Sequence, residues 1–149
     1  MNTYKQQQVY DCFLACVATA LQRDYDELWP RDFRDRIEAA KGCYGDTIAE
    51  AMSIAGLTKD VDYWTLFVPE VVSNSQSVRR FFNGRRALFQ VPSLNHKGAQ
   101  HIVCWMGDSL HDPSNKQIYQ WLDQIVPAYV WVFNELGSNE KQLSAARRC

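Results

Sequence analysis

The sequence predicts an α+β fold in which helices come first and antiparallel strands follow. In the first third of the chain, apolar residues recur at helical spacing between Asp, Pro and Gly residues that start and stop helices. The rest of the chain contains short runs of β-branched and aromatic residues, several of them bounded by Pro or Gly. Helices followed by strands is the order typical of an α+β domain.

The helical part is organised around one stretch, residues 12–21, which is apolar on every side. Such a pattern predicts a central helix that is buried all round, and Asp11 directly before it is a favourable N-cap residue. Three shorter helical segments follow. Asp24 caps a turn through residue 29, Pro30 starts a helix carrying Phe33, Ile37 and Ala40, and Asp46 caps a helix that ends at Gly56.

The strand-rich part begins near residue 61. The predicted elements are a strand over 61–68, a brief helix over 75–84, a strand over 86–91, a polar loop over 93–99, a hairpin of 101–106 and 109–112, a helical turn over 116–122 and a strand over 129–133. The hairpin is predicted because Gly107-Asp108 is a typical two-residue connection between strands.

Length and composition indicate one globular domain, residues 1–136, followed by a polar tail, residues 137–149, that we expect to be flexible. The net charge of −1 gives no general attraction to nucleic acid or anionic membranes. No apolar run is long enough to cross a bilayer, and the amino terminus lacks a signal-peptide core. The five cysteines are not spaced like a disulfide framework, so we expect free thiols in the cytoplasm.

Four residues form a candidate reactive site. Cys12 falls in the first turn of the central helix, where unpaired N–H groups and the helix dipole favour a thiolate. In the predicted hairpin Asp112 lies opposite Val103, so it shares a sheet face with His101 as a diagonal neighbour. Gln6, six residues before Cys12, is placed to direct a side-chain amide towards the same point, although Gln7 and Gln8 compete with it.

The motif Gln6 to Asp11-Cys12, then His101-Ile102-Val103, then Asp112-Pro113 resembles the papain-like cysteine peptidases. It is most similar to the bacterial branch that cleaves double-glycine leader peptides. The resemblance implies a papain-like fold, with the helical half packed on the antiparallel sheet. It also implies an acyl-transfer hydrolase, a peptidase or amidase of bacterial or phage origin that acts on a polypeptide or other amide without a cofactor.

Within that resemblance Cys12 is the nucleophile, His101 the base, Asp112 the carboxylate that orients the imidazole, and Gln6 an oxyanion-hole donor. The chain departs from the family pattern at Phe13, where glycine usually follows the nucleophile, and in its short His-to-Asp interval. A bulky Phe13 is expected to narrow or reshape the cleft. These departures motivate an alternative function, a papain-like protein with little or no activity that binds a protein partner through its cleft.

Other interpretations of the same residues stay open at this point. Cys12 also fits a structural thiol, because free cysteine is often buried. Cys16 lies one helical turn further on and is expected in the core rather than as a disulfide partner. The Cys and His residues lack metal-ligand spacing, so no metal site is predicted. The basic and aromatic run 79–86 fits a nucleic-acid groove, but a short core-packed helix explains it better.

Overall fold

The computed structural model describes residues 2–57, 61–65, 80, 82–92, 100–120 and 129–137. Within these ranges four helices precede six strands. The helices are α1 Cys12–Leu21, α2 Tyr25–Leu28, α3 Arg31–Ala39 and α4 Asp46–Ile54, and the strands are β1 Val61–Thr65, β2 Arg85–Pro92, β3 Gln100–Met106, β4 Leu110–His111, β5 Ile118–Tyr119 and β6 Tyr129–Gly137. The chain is therefore an α+β protein, as its residue pattern predicts.

The central helix α1 is buried as predicted. Residues 13–20 are all buried, and partial exposure is confined to its first and last residues, Cys12 and Leu21. Trp29, just after α2, donates from Nε1 to the backbone oxygen of Leu14 at 2.9 Å. A helix that is apolar all round is stable only when other elements cover every side, and here helices and sheet enclose it together.

The shorter helices follow their predicted positions with two differences. The Asp24 side chain accepts hydrogen bonds from Asp26 N and Glu27 N and so caps α2 as predicted. Ala40 was expected on the inner face of α3 but is exposed at its C-terminal end. Asp46 was expected to cap α4, but Gly45 occupies the cap position and Asp46 is the first helical residue. There its charge still favours the positive end of the helix.

The six strands form one antiparallel sheet with the order β1-β6-β2-β3-β4-β5. One face packs against the helices, through Leu88, Ile102, Cys104, Met106, Trp131 and Phe133. The opposite face has its own buried apolar cluster, made by Phe82, Ala87, Phe89, Val91, Val103, Trp105, Leu110, Val130 and Val132. Burial on both faces explains why β2, β3 and β6 have nearly continuous apolar sequences rather than alternating ones.

The hairpin of β3 and β4 has the predicted register. Cys104 pairs with His111 and Trp105 with Leu110. Met106 N donates to Ser109 O at 2.9 Å, which closes the turn at Gly107. Gly107 has φ 98, a conformation that glycine adopts without the steric cost other residues incur. The prediction of the hairpin is therefore confirmed.

In the second half of the chain one predicted element is wrong and another is longer than predicted. A helical turn was expected over 116–122, but Ile118–Tyr119 is a strand that pairs with β4. Lys116, at φ 61, redirects the chain just before it. The strand predicted over 129–133 is present as β6, which runs on to Gly137 and lies inside the sheet, between β1 and β2.

Several predicted elements fall outside the described residues. They are the loop 93–99, most of the brief helix over 75–84, and the tail from residue 138 onward. Of the brief helix, residues 80 and 82 are helical and Phe82 is buried. The strand predicted over 61–68 is present over 61–65.

The direction of α1 along the sheet positions the candidate site. Cys16 Sγ donates to Ile102 O at 3.3 Å, near the start of β3. Near the other end of α1, Ala20 O accepts from Arg86 Nη1 at 2.6 Å. Arg86 is paired with Met106 at the end of β3. Helix and strand therefore run in the same direction, and the N-terminus of α1 lies at the end of β3 that carries His101.

Candidate active site

Cys12 is the first residue of α1 and keeps partial exposure in a helix that is otherwise buried. The first hydrogen bond of the helix joins Ala15 N to Asp11 O at 3.0 Å. The backbone N–H groups of residues 12–14 precede that bond, and no side-chain cap takes them. The thiol therefore stands beside N–H donors at the positive end of the helix dipole.

Asp11 does not cap α1 with its side chain, contrary to the prediction. Its carboxylate is fully buried and turns back towards the preceding loop. There it accepts from Gln7 N at 3.0 Å, from Gln8 N at 3.1 Å and from the Tyr25 hydroxyl at 2.5 Å. Three donors satisfy a buried carboxylate more completely than a single capping bond does. This explains why the Asp11 side chain turns to the loop rather than to the helix.

His101 and Asp112 are in contact as the hairpin register predicts. His101 Nε2 lies 2.9 Å from Asp112 Oδ1, and both side chains are largely buried. The same oxygen accepts from Ser114 N at 2.9 Å and from Ser114 Oγ at 2.7 Å. Burial opposes the charge of Asp112, but the hydrogen bonds from His101 and Ser114 outweigh it and lower the pKa of the carboxyl group. Asp112 is thus held as an anion behind the imidazole.

Cys12 meets the same imidazole. Burial lowers the pKa of His101, but hydrogen bonds with Asp112 and with Cys12, together with the negative charges of both partners, raise it to about 9. Because Nε2 faces the carboxylate, Nδ1 is the ring nitrogen left for the thiol. The structure therefore brings together three of the four predicted residues, with His101 between Cys12 and Asp112.

Gln6 is the fourth candidate, and its side chain is folded onto its own loop. Its Nε2 donates to Gln8 O at 2.9 Å and to Val9 O at 3.2 Å, so both amide hydrogens have backbone acceptors. Gln7 points elsewhere, since its side chain bonds Asp26 on the exposed surface. Gln6 N donates to Pro113 O at 2.9 Å, which joins this loop to the turn that holds Asp112.

The other cysteines in the described residues are free thiols in less reactive surroundings. Cys16 is fully buried, and burial raises its pKa well above the ordinary value. Burial also raises the pKa of Cys104. For Cys43, burial and the charges of Cys12 and Asp11 raise the pKa to about 12. The prediction that Cys16 belongs to the core agrees with its position.

Phe13 was expected to narrow or reshape the cleft, but it lies in the core. Its side chain is 3 % exposed and packs edge-on against Trp131, with 5.6 Å between ring centroids. Phe13 lies about 100° around the helix from Cys12, so the two side chains face different surroundings. The residue that replaces glycine at this position therefore adds an aromatic ring to the core rather than to the cleft.

The structure also locates residues of the two other interpretations, a metal site and a nucleic-acid groove. No group of three or more potential metal ligands occurs among the described residues. Within the basic run, Arg86 is buried and bonded to the end of α1, so it is not part of a surface groove. Phe82 is buried in the core cluster of the sheet. The sequence interpretation of this run as core-packed aromatics agrees with Phe82.

Chemically, the arrangement combines a thiol, an imidazole and a carboxylate, and the same types of group are used for covalent acyl transfer. Sequence reasoning missed two supporting contacts, the bonds of Ser114 to Asp112 and of Tyr25 to Asp11. The first had a signal in the sequence, because an Asp side chain commonly bonds the backbone two residues later. The second joins the residue before α1 to a residue of α2, and no pattern in the sequence indicated it.

Comparisons of the chain with protein-family models, with curated proteins and with solved structures found no match. Among the described residues, no helix is long and apolar enough to cross a membrane.

Proposed function

We propose that this protein is a cysteine-dependent acyl-transfer hydrolase of the papain-like class, a peptidase or amidase that acts on a polypeptide or another amide. Cys12 is the nucleophile, His101 the acid and base, and Asp112 the group that orients His101. The observation that carries the proposal is the position of His101, which bonds Asp112 at 2.9 Å and interacts with Cys12 strongly enough for that thiol to help raise its pKa.

The resting site holds a proton on the imidazole. With a pKa of about 9, His101 is protonated at neutral pH. Its charge is balanced by the Asp112 carboxylate, whose pKa is lowered by the hydrogen bonds from His101 and Ser114. In the reactive form of the pair the proton is on the imidazole and Cys12 is a thiolate, which is the nucleophilic form of cysteine.

In the first step the Cys12 thiolate attacks the carbonyl carbon, and the carbonyl oxygen takes the negative charge. The N–H of Cys12 stabilises that oxygen, and the Gln6 amide does so when it turns away from Gln8 O and Val9 O. Each such donor contributes about 3 kcal/mol to transition-state stabilisation. The C–N bond then breaks, the amine leaves with the proton of His101, and a thioester on Cys12 remains.

In the second step water hydrolyses the thioester. His101, now neutral, takes a proton from the water as the oxygen attacks the acyl carbon. The thiolate leaves, the carboxylic acid departs, and the imidazolium is restored. Asp112 holds the ring in one orientation throughout, so the nitrogen facing Cys12 carries the proton in transit. The cycle needs no cofactor.

The proposal is tested with p-nitrophenyl acetate, a small acyl donor that needs no specific binding pocket. We expect acetylation of Cys12, seen by peptide mapping with mass spectrometry and as a burst of p-nitrophenolate. The Cys12→Ala variant loses the burst, and His101→Ala slows it strongly although the thiol remains. Cys43→Ala is the matched control, since among the described residues it removes the other thiol that is partly exposed, and we expect it to keep the burst. An undiminished burst in Cys12→Ala contradicts the proposal.

A second candidate function is binding of a protein partner through the same cleft, without turnover. The observation that favours it is the Gln6 amide, whose hydrogens are both bonded inside the loop. The two functions differ in what Cys12 contributes. A binding protein keeps its full effect after Cys12→Ala, and its Cys12 reacts with p-nitrophenyl acetate no faster than a simple thiol of similar acidity.

A further inference from the structure

Asp11 is a buried carboxylate directly beside the nucleophile, and the mechanism above does not use it. Its side chain is inaccessible to solvent and accepts three hydrogen bonds. Two of these come from the backbone of Gln7 and Gln8, and the third comes from Tyr25 on α2. Burial of a carboxylate is costly unless donors surround it, so this residue type at this place needs a reason beyond filling space.

The orientation of Asp11 has two structural effects. Its carboxylate turns away from α1, so it leaves the N–H groups of residues 12–14 without a side-chain cap. An ordinary Asp cap accepts from the second or third N–H of the helix, here Phe13 or Leu14. The same carboxylate also fixes the backbone of the loop that carries Gln6.

That loop is held from both sides of the site. On the side of the nucleophile, Asp11 binds the N–H groups of Gln7 and Gln8. On the side of the base, Gln6 N donates to Pro113 O at 2.9 Å, directly after Asp112. The Gln6 side chain is therefore carried by a segment whose two anchors adjoin the nucleophile and the carboxylate of the triad.

We propose that Asp11 is a positioning residue of the acyl-transfer site, which holds the 6–8 loop and its Gln6 amide at the uncapped tip of α1. This inference rests on the proposed function, because it assigns Asp11 to the stabilisation of the oxyanion in that reaction. Asp11 does not touch the substrate. It acts through the backbone of the loop, and Tyr25 supports it by donating to the same carboxylate.

Two reactions of the same thiol separate this role from a structural one. Alkylation of Cys12 by iodoacetamide forms no oxyanion, so it depends on the thiolate and His101 alone. Acylation by p-nitrophenyl acetate passes through an oxyanion and needs the donors at the tip of α1. A positioning role therefore predicts slower acylation with an unchanged alkylation rate, whereas partial unfolding changes both rates.

The main variant is Asp11→Asn, which keeps the shape but turns an NH2 group towards one of the two backbone N–H donors. The loop is released there, and we expect acylation of Cys12 to slow by about tenfold or more, since small displacements at a reacting centre have large effects. Alkylation by iodoacetamide is expected to stay within about twofold, because the Cys12–His101 pair is intact.

The matched control is Asp26→Asn. Asp26 bonds the side chain of Gln7 from the exposed surface and does not touch the loop backbone. In Asp26→Asn, the rates of Cys12 acylation and of Cys12 alkylation should both equal those of the wild-type protein. A second variant, Tyr25→Phe, removes one donor from Asp11 and leaves both loop bonds, so we expect a smaller fall in acylation at constant alkylation.

The outcomes decide the inference separately from the proposed function. A folded Asp11→Asn protein with wild-type acylation overturns the role of Asp11 and leaves the triad intact. If Asp11→Asn does not fold, Tyr25→Phe is the deciding variant. An unchanged acylation rate of Cys12 overturns the role of Asp11, and slower acylation at an unchanged alkylation rate supports it. A wild-type protein whose Cys12 is never acylated contradicts the proposed function, and the role of Asp11 falls with it.

Discussion

His101 Nε2 and Asp112 Oδ1 lie 2.9 Å apart although their residues belong to opposite arms of a hairpin. The pairing of Cys104 with His111 places Asp112 one step beyond β4, diagonally across from His101. Ser114 adds two bonds to the same carboxylate oxygen. The result is an imidazole whose orientation is fixed by the sheet and whose other nitrogen is available to Cys12.

Replacement of Asp112 tests this relationship. Asp112→Asn removes the negative charge that helps to raise the pKa of His101, so that pKa should fall below its wild-type value of about 9. We expect turnover of an amide substrate to drop by about tenfold or more, because the tautomer and orientation of the ring are no longer fixed. The fall in rate at alkaline pH should also begin at a lower pH than in the wild-type protein.

The matched control for that experiment is Ser114→Ala. It removes one bond to Asp112 Oδ1 but keeps the backbone N–H bond and the carboxylate itself. Its pH–rate profile should lie close to that of the wild-type protein. Identical profiles for Asp112→Asn and wild type would show that the carboxylate does not act on His101.

A second prediction concerns Phe13. Because its ring is buried against Trp131 rather than exposed in the cleft, Phe13→Ala should lower the free energy of unfolding by about 4 kcal/mol. Acylation of Cys12 in the folded variant should not become faster, since no obstruction is removed. Urea unfolding and the p-nitrophenyl acetate burst measure the two effects.

Val9→Ala is the control for Phe13, because Val9 lies just before α1 and is 71 % exposed. Its unfolding free energy should change by less than about 0.5 kcal/mol. A stable Phe13→Ala protein with faster acylation would mean that Phe13 does restrict the cleft.

A third prediction concerns Arg86, which is buried and donates to Ala20 O near the C-terminal end of α1 at 2.6 Å. Arg86→Met keeps much of the volume but removes a charged donor from a buried carbonyl. We expect a loss of about 2 kcal/mol in the free energy of unfolding, measured with urea. The neighbouring Arg85→Met, at an exposed position, should cost less than about 1 kcal/mol. Equal losses for the two variants would contradict a specific role for Arg86.

Local patterns were sufficient to predict much of the fold. The run of apolar residues in α1 predicts a buried helix, because such a helix must be covered on every side. The Gly107-Asp108 turn fixes the hairpin register that brings His101 to Asp112. The pairing of Cys12 with His101 came from the motif, since periodicity gives no information about which residues meet across a sheet.

The errors share a physical cause, which is competition from partners distant in the sequence. Ile118–Tyr119 became a strand because β4 offers an edge to pair with, whereas local propensity favoured a helical turn. Asp11 turned away from its helix because Tyr25 and the loop N–H groups together offer three donors. The place of β6 between β1 and β2 also depends on pairing over long separations.

The most direct measurement is the titration of His101 by NMR in the wild-type protein and in Cys12→Ala. Assignment uses His96→Gln and His111→Gln variants, and His111 is separable because burial lowers its pKa. We predict a midpoint of about 9 for His101 that falls in Cys12→Ala but not in Cys43→Ala. A midpoint at or below the ordinary value of 6.5, or one that is identical in Cys12→Ala, would contradict the contact between the thiol and the imidazole.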